Sequence, residues 1–417
     1  MPPELLARAH GAAAWLAERG ISEGSRIAVD SPEVLPWFLG GDLLGAAVLV
    51  VEPGWSERER RAVLADAAPD LVVTGVPEAT TARVTPAGTG RTAFYLATTS
   101  GSSGRPKVLI RTRDSWLDSF AALGPLPGPV LIPGPLSSSL FLFGALHALW
   151  CGQRVRLLPR WDPETAARAA AGAASVHLVP AMLAGLLAVL ARHPGRECTL
   201  EAVVCGGGHL DPVLRARMAE VLTDAGLIAY YGSAEHSLIA LDRGDGRLRP
   251  VPGVGLDIRD GILWVDSPLS CRGRLTGGVL SPAPRWSTVD DRAELDGKGG
   301  LVVHGRAGSM LSSGGGLVPA EEVERVLREV PGVGDVVVAG TPHAALGSLV
   351  TAVVEPDETP VSLSALRAAA RENLAPGKRP RRWLAVKELP RTASGKPARA
   401  AIGEMLRDGT LAAEPLT

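Results

Sequence analysis

The chain has 417 residues, of which 46% are hydrophobic and 21% charged, so it can bury the core of one large domain and one smaller one. Its 43 basic and 44 acidic residues give a net charge of −1 at pH 7. This balance offers no bulk electrostatic reason to expect nucleic acid or an anionic membrane as partner, and a small molecule is the expected partner.

The first hundred residues alternate between helical and strand periodicity. Apolar residues at helical spacing predict a helix near 5–16, and short β-branched runs predict strands at 26–30 and 71–75. A capping box formed by Ser56 and Glu59 predicts the start of another helix. Helices that alternate with short apolar strands predict a largely parallel sheet covered by helices on both faces.

The same alternation continues downstream. Asp162 as N-cap and Pro163 in the first turn predict the start of a helix. From about Gly246 the chain changes to short strands and turns, and the "DGKGG" at 296–300 has the composition of a hairpin turn. This stretch is therefore predicted to be a β-rich subregion.

A Gly/Ser-rich stretch after Arg306 leads into an amphipathic helix, two strands and a further helix at 363–374. We expect an α/β fold in which residues 1–306 form a large N-terminal domain, with parallel sheets between helices and the β-rich subregion. Residues 307–417 are then a small C-terminal α+β domain of ordinary size.

The cysteines and the N-terminus predict the compartment. Cys151, Cys198, Cys205 and Cys271 show no CxxC spacing, so they indicate neither a zinc site nor a disulfide framework, but thiols in a reducing environment. Charges interrupt the first twenty residues, and the densest apolar run, 140–151, is too short to cross a bilayer. We expect a cytoplasmic protein with no membrane partner.

The most distinctive short stretch is "TTSGSSGRPK" at 98–107, which follows an apolar strand. Its backbone N–H groups, hydroxyls and terminal ammonium suit a polyphosphate. The spacing is not that of a Walker loop, because Gly101 and Gly104 are too close together and Pro106 precedes Lys107. Taken alone, the stretch is equally compatible with a flexible surface loop.

Four further stretches accompany this loop in a fixed order: "YYGSAEHS" at 230–237, "STVDDRAELDGKGGLVVHGR" at 287–306, "GGGLVPAEEVE" at 314–324 and "LPRTASGKPAR" at 389–399. With them, nearly the whole chain resembles the acyl-adenylate-forming superfamily, which contains acyl- and aryl-CoA ligases, adenylation domains of peptide synthetases, and luciferases. The resemblance implies a mobile small domain and an AMP-forming acid–thiol ligase. A carboxylic acid is joined to AMP, and its acyl group then passes to coenzyme A or to carrier-protein phosphopantetheine.

The resemblance also implies two catalytic residues and the cofactors ATP and Mg²⁺. Glu235 is implied as the Mg²⁺ ligand, because Mg²⁺ prefers carboxylate and phosphate oxygens. Lys396 is implied to bridge the substrate carboxylate and the α-phosphate. The alternative, non-catalytic roles are those of an acid at a helix start for Glu235 and of one more solvated cation for Lys396.

A larger set is implied to bind the nucleotide. The loop would hold the departing phosphates, Tyr231 and the glycine run would flank the adenine, and Asp291 with Arg306 would bind the ribose, unless those two form only a surface ion pair. The implied nucleotide-binding residues are Thr99, Ser100, Gly101, Ser102, Ser103, Gly104, Lys107, Gly207, Gly208, Tyr231, Gly232, Ser233, Asp291 and Arg306.

Three departures from the family pattern shape the functional hypotheses. Ala234 stands where many members have a threonine, Ser137–Ser139 replace an aromatic or histidine of the acyl pocket, and Gly308 stands at the hinge. Residues 133–150 contain no acid, which favours an apolar or aromatic carboxylic acid over an α-amino acid. The alternatives are transfer to an amine or another small nucleophile, and a relative that binds nucleotide without turnover.

Overall fold

The computed structural model describes residues 2–55, 57–99, 106–208, 210, 212–306, 310–313, 316–343, 347–374, 376–392 and 395–417. The chain forms two compact units. The first unit comprises Met1–Leu256 and Val265–Ser287, and the second comprises Asp257–Trp264 and Thr288–Thr417. The predicted domain boundary after Arg306 stays a prediction.

Helices and strands alternate through the first part of the chain, as the periodicity predicts. In chain order they are α1 (Pro3–Ala17), β1 (Arg26–Val29), α2 (Val34–Leu43), β2 (Ala47–Val50), α3 (Glu57–Ala67), β3 (Leu71–Val73), β4 (Ala93–Thr99), β5 (Lys107–Thr112), α4 (Arg113–Leu123), β6 (Val130–Ile132), α5 (Ser139–Trp150), β7 (Val155–Leu157), α6 (Pro163–Ala170), β8 (Ser175–Leu178), α7 (Pro180–Arg192), β9 (Ala202–Gly206), α8 (Pro212–Val221) and β10 (Gly226–Ser233).

Short strands then predominate before the helices return. These elements are β11 (Ser237–Asp242), β12 (Arg249–Pro250), β13 (Gly255–Arg259), β14 (Ile262–Asp266), β15 (Gly273–Thr276), β16 (Val279–Pro282), β17 (Trp286–Ser287), β18 (Asp291–Leu295), β19 (Leu301–Arg306), β20 (Met310–Ser313), β21 (Gly316–Pro319), α9 (Ala320–Arg328), β22 (Val333–His343), β23 (Gly347–Pro356), α10 (Leu363–Asn373), a short 3₁₀ helix (Pro376–Lys378), β24 (Arg382–Ala385), α11 (Arg399–Asp408) and β25 (Glu414–Pro415).

The first unit contains two seven-stranded sheets, with strand orders β16-β15-β5-β4-β2-β1-β3 and β12-β11-β10-β9-β8-β6-β7. In the first sheet β3, β1, β2 and β4 run parallel, whereas β5, β15 and β16 add antiparallel pairs. In the second sheet β7, β6, β8, β9 and β10 run parallel, and β11 and β12 are antiparallel additions. The predicted α/β class with largely parallel sheets is confirmed.

Alternate residues of β1 explain how both faces of the first sheet are covered. Ile27 and Val29 belong to the largest buried apolar cluster of the unit. Ala28, which points to the opposite face, packs in a second cluster with Val63 and Ala67 of α3. Helices therefore cover both faces, as continuous apolar strands require.

Two predicted local signals are confirmed. The Asp162 carboxylate accepts a hydrogen bond of 2.7 Å from the Thr165 amide and caps α6. The Asp296 side chain accepts hydrogen bonds from the amides of Lys298 and Gly300 and closes the β18–β19 hairpin. Ser56 of the predicted capping box lies outside the described residues.

The second unit contains the antiparallel pair β20–β21 and a four-stranded sheet of order β22-β23-β24-β25. Val323 and Leu327 of α9 pack with Leu366 of α10 on one side of this sheet. Ile402 and Leu406 of α11 pack on the other side. The amphipathic helix predicted after the Gly/Ser-rich stretch is α9, whose buried residues recur at helical spacing.

The cysteines are thiols, and none of the four, all of which lie among the described residues, forms a disulfide. Cys205 and Cys271 are buried, and the other two are half-buried. Over the described ranges, no helix has the length and apolar character needed to span a membrane.

Candidate active site

The two ends of the predicted phosphate loop lie side by side. Thr99, the last residue of β4, pairs in register with Lys107, the first residue of β5. Both are half-buried at the end of strands whose central residues are fully buried. Ser100, Gly101, Ser102, Ser103 and Gly104 lie outside the described residues, so their predicted contacts with phosphates stay predictions.

The glycine run follows β9. A Cβ on Gly206 would lie 2.2 Å from the ring of Tyr230, so packing alone requires a glycine there. Gly207 has a φ of +76°, in the left-handed region that favours glycine. Gly208 is exposed, and among the described residues a Cβ on it would lie 3.4 Å from Pro180. The predicted contact of Gly207 and Gly208 with the adenine stays a prediction.

Tyr231, Gly232 and Ser233 end β10, which runs parallel to β9. The carboxyl ends of parallel strands meet at one edge of a sheet, so these residues share that edge with Gly207 and Gly208. A Cβ on Gly232 would lie 2.1 Å from the carbonyl oxygen of Ser237, because β10 and β11 pair with an irregular register there. Glycine therefore permits the tight reversal that carries Glu235.

Glu235 lies in this reversal between β10 and β11, half-buried. Its own carbonyl oxygen accepts a hydrogen bond of 2.7 Å from the Cys271 amide. A carboxylate held on a fixed turn offers the oxygen ligands that Mg²⁺ prefers, so the residue fits the predicted metal role. The described residues contain no group of three or more His, Cys, Asp or Glu side chains suited to hold a metal by themselves.

Arg111 of β5 was not singled out by sequence reasoning. Its side chain is 1% exposed and donates to the carbonyl oxygens of Ala234 at 2.5 Å, Glu235 at 3.4 Å, and Leu269. Within the described part of the chain its acceptors are all backbone carbonyls, and its Nε has none. Burial lowers the pKa of Arg111 to about 10, against the opposing effects of Cys271, Tyr95 and Glu235. A buried cation therefore underlies the Glu235 turn.

His236 is a second residue that sequence reasoning missed. It is fully buried, with Nδ1 3.1 Å from Ser233 Oγ and Nε2 2.8 Å from Ser287 Oγ. Burial, reinforced by the charge of Arg111, lowers the pKa of His236 to about 4, so the ring is neutral at pH 7. The predicted contact residue Ser233 thus has a structural partner, because its hydroxyl also accepts from the His236 amide.

One polar contact near the predicted acyl region joins distant segments. Ser137 donates a hydrogen bond of 2.6 Å to Glu52, whose other carboxylate oxygen accepts from the Gly54 amide at 3.1 Å. Ser139 Oγ lies 2.9 Å from the hydroxyl of buried Tyr95. Although residues 133–150 contain no acid, the fold brings the Glu52 carboxylate to Ser137.

The predicted ribose residues belong to the second unit. Asp291 and Arg306 face each other as paired residues of β18 and β19, and Asp291 is buried. The two backbones are therefore adjacent, while the Arg306 side chain lies outside the described residues. Their contact with a ribose stays a prediction.

Lys396 also belongs to the second unit, in a hairpin closed by a bridge between Arg391 and Pro397. Its carbonyl oxygen accepts a hydrogen bond of 2.7 Å from the Thr392 amide. The residue is half-buried.

This architecture, two largely parallel α/β sheets with glycine-bearing strand ends and a small α+β unit carrying a lysine hairpin, is that of adenylate-forming enzymes. The chain belongs to the family of AMP-binding enzymes. The family model "AMP-binding enzyme" matches residues 3–93 and 78–264, and the model "AMP-binding enzyme C-terminal domain" matches residues 322–396.

Three curated proteins illustrate the relationship. The chain is 28% identical over 445 residues to an uncharacterized acyl-CoA ligase, YhfT, of Bacillus subtilis (strain 168), covering 94% of this chain and 90% of the relative. It is 25% identical to a putative long chain fatty acid-CoA ligase, VraA, of Staphylococcus haemolyticus, covering 76% and 71%. It is 27% identical to Enterobactin synthase component F of Escherichia coli (strain K12), covering 93% of this chain and 36% of that one. The predicted class, an AMP-forming ligase, is confirmed.

Solved structures agree in fold. A single-substitution variant of E. coli MenE with bound OSB-AMS superposes with a TM-score of 0.86 at 24% identity, covering 97% of this chain and 93% of that one. ATP-bound MatB from Rhodopseudomonas palustris gives a TM-score of 0.85 at 21% identity, covering 98% and 93%.

Proposed function

We propose that this enzyme activates a carboxylic acid with ATP and transfers the acyl group to the thiol of coenzyme A. An acid oxygen forms a bond to the α-phosphorus as the bond to the bridging oxygen of pyrophosphate breaks. The thiol sulfur then bonds to the acyl carbon as AMP leaves, and the thiol proton passes to solvent. Membership of the AMP-binding family and the acyl-CoA ligase relatives support this sequence of steps.

One contact carries the proposal beyond family membership. Arg111, on the strand that begins with Lys107, is hydrogen-bonded to the turn that holds Glu235. It thereby joins the strand after the proposed phosphate loop to the proposed metal ligand. Phosphoryl transfer depends mainly on positioning and on neutralising charge, which a metal ligand on a fixed turn and the Lys107 ammonium would serve.

The residues fit ATP and Mg²⁺ in chemical type. Glu235 would hold Mg²⁺, which when bound neutralises charge on the phosphate oxygens. Lys107 would contribute positive charge at the departing phosphates, and Tyr231 would lie against the adenine beside Gly207 and Gly208. Lys396 would bridge the substrate carboxylate and the α-phosphate.

The finer parts of the proposal concern substrate, acceptor and location. An apolar or aromatic acid is favoured because residues 133–150 contain no acid. Carrier-protein phosphopantetheine is the second acceptor, supported by the similarity to Enterobactin synthase component F. Action in the cytoplasm is part of the proposal.

Pyrophosphate release tests the first step. A panel of aryl and alkyl carboxylic acids is incubated with enzyme, ATP and Mg²⁺, and acid-dependent release is expected for at least one of them. Lys396→Ala should lower that release by roughly two orders of magnitude or more, because a charge that stabilises the transition state is lost. Undiminished release in Lys396→Ala would exclude the role proposed for this lysine.

Mass spectrometry of the products tests the second step. Coenzyme A, a phosphopantetheinylated carrier protein and simple amines are offered in parallel with the active acid. A coenzyme A thioester is the expected product. Exclusive amide formation would overturn the proposed acceptor, and absence of any acid-dependent ATP–pyrophosphate exchange would overturn the proposed reaction.

A further inference from the structure

The hairpin that carries Lys396 is held at its base by backbone hydrogen bonds. The Thr392 amide donates to the Lys396 carbonyl at 2.7 Å, and the Ala398 amide donates to the Pro390 carbonyl at 2.7 Å. The Gly395 amide donates to the Thr392 carbonyl oxygen at 2.8 Å, and Gly395 has a φ of +79°. These bonds fix the shape of the hairpin but not its attachment to the sheet of the second unit.

Among the described residues, the Arg391 side chain is one link between this hairpin and the sheet. The Arg391 guanidinium donates through Nη2 to both Glu355 carboxylate oxygens, at 2.9 and 3.0 Å, and through Nη1 to Asp335 at 3.1 Å. The same Nη1 donates to the carbonyl oxygen of Gly395 at 3.2 Å. Gly395 directly precedes Lys396, so one planar group connects two carboxylates of the sheet to the backbone beside the lysine.

The two carboxylates are themselves fixed. Glu355, near the end of β23, also accepts from the Leu389 amide at 2.6 Å. Asp335 of β22 is buried and accepts from its neighbour, the Val336 amide, at 2.8 Å. A guanidinium bound to carboxylates held in this way has a set direction, which lysine in its place could not reproduce.

Arg328 provides an internal comparison. It also binds Asp335, at 3.1 Å, and reaches the Val336 carbonyl and Glu324. In the described residues its hydrogen bonds do not include the 391–397 hairpin. Arg328 and Arg391 therefore share a carboxylate, but of the two only Arg391 contacts the segment beside Lys396.

We propose that Arg391 is a positioning residue for the first half-reaction, holding the Lys396 hairpin at a fixed place on the second unit through Glu355 and Asp335. The inference rests on the proposed function, in which Lys396 acts during adenylation. Displacement of a catalytic group by about 1 Å can cost roughly 100-fold in rate, so a side chain that fixes the hairpin affects the rate without touching substrate.

Separate assays of the two half-reactions test this proposal. Adenylation is measured as ATP–pyrophosphate exchange with the most active acid of the panel, and thioester formation is measured from the synthetic adenylate of the same acid with coenzyme A. Arg391→Met should lower the exchange rate by roughly 10- to 100-fold. Thioester formation from the synthetic adenylate should be unchanged, Arg391→Lys should recover part of the exchange rate, and Arg328→Met should retain all of it.

A double variant tests whether the effect passes through the lysine. If Arg391 acts only by placing Lys396, the exchange rate of Lys396→Ala with Arg391→Met equals that of Lys396→Ala alone, because residues that act as a unit are not additive. Urea unfolding of Arg391→Met and Arg328→Met provides the stability comparison.

The outcomes separate this proposal from the proposed function. An impaired Lys396→Ala beside an unimpaired Arg391→Met overturns the positioning role and leaves the function standing. Equal losses in both half-reactions, a loss in Arg328→Met as large as in Arg391→Met, or a further loss in the double variant also overturn it. A wild-type enzyme without acid-dependent exchange overturns the function itself.

Discussion

The guanidinium of Arg111 donates a hydrogen bond of 2.5 Å to the carbonyl oxygen of Ala234, which immediately precedes Glu235. The two residues lie 123 positions apart in the chain, Arg111 in the first sheet and Ala234 in the turn that follows β10 of the second. Many family members have a threonine hydroxyl where this chain has Ala234. Here the buried Arg111 side chain holds the turn by donating to the backbone carbonyl oxygens of the same segment.

Replacement of Arg111 by methionine should reduce both stability and metal use. The carbonyl oxygens of Ala234 and Leu269 lose their donor, and a buried group without a partner costs about 1–3 kcal/mol. We expect the free energy of unfolding, measured in urea, to fall by about 2–4 kcal/mol. The Mg²⁺ concentration for half-maximal pyrophosphate release should rise as the Glu235 turn loosens.

Arg243→Met, which removes an arginine that binds the carbonyls of Ala122 and Leu123, is the control for metal use. Equal Mg²⁺ requirements in the two variants would contradict the prediction.

Glu235→Gln should raise the Mg²⁺ requirement without unfolding the protein. A neutral amide is a poorer ligand for a hard cation than a carboxylate, so the half-saturating Mg²⁺ concentration should increase by at least roughly tenfold. Titration of pyrophosphate release with Mg²⁺ measures it, with exposed Glu201→Gln as the matched control. An unchanged titration for Glu235→Gln would remove this residue from the metal site.

Gly232→Ala should distort the turn that carries Glu235. Its Cβ would lie 2.1 Å from the Ser237 carbonyl oxygen, whereas a Cβ on Gly226, in the same strand, would lie 3.7 Å from the Glu201 carbonyl oxygen. Overpacking of this kind costs about 1–3 kcal/mol, so Gly232→Ala should unfold at lower urea concentration and release less pyrophosphate. Gly226→Ala should retain activity. A Gly232→Ala enzyme with wild-type activity would show that the reversal tolerates a shift.

The buried histidines should make stability fall in acid. Burial lowers the pKa of His147 and His236 to about 4 and that of His177 to about 3. Between about pH 4 and 6.5 the unfolded chain therefore binds protons that the folded chain does not, and the free energy of unfolding decreases as pH falls through this window. The slope is up to about 1.4 kcal/mol per pH unit for each histidine.

Urea unfolding at pH 7 and pH 5 measures this dependence. His177→Gln should make the free energy of unfolding depend less steeply on pH between these two values. Unfolding should take up about one proton fewer, because glutamine does not titrate. His193, which is exposed, provides the control substitution His193→Gln. A slope that His177→Gln leaves unchanged would contradict the assignment of a neutral buried ring.

Periodicity and turn chemistry predicted most of the architecture, because these signals are local. The alternation of helices and strands, the Asp162 cap and the Asp296 hairpin all depend on residues a few positions apart. The five motifs likewise predicted the family, since each is a short stretch with a recognisable composition. Two residues from one of these motifs, Asp291 and Arg306, pair across β18 and β19.

Contacts between residues far apart in the chain could not be predicted from periodicity, turn chemistry or short motifs. Arg111 appeared in the sequence only as one basic residue in the apolar strand "KVLIRT", and its carbonyl acceptors depend on which sheets and turns pack together. The absence of an acid in 133–150 did not reveal that Glu52, 85 positions from Ser137, reaches that segment.

The sequence by itself determined the class of enzyme and the chain order of its motifs, because motif composition and hydrophobic periodicity are carried by neighbouring residues. The tertiary structure decided which side chains hold the proposed catalytic groups: Arg111 beneath the Glu235 turn and Arg391 between Glu355 and the Lys396 hairpin. The physical reason is that a guanidinium acquires its role from the acceptors it meets, and strand order and turn packing bring those acceptors from distant parts of the chain.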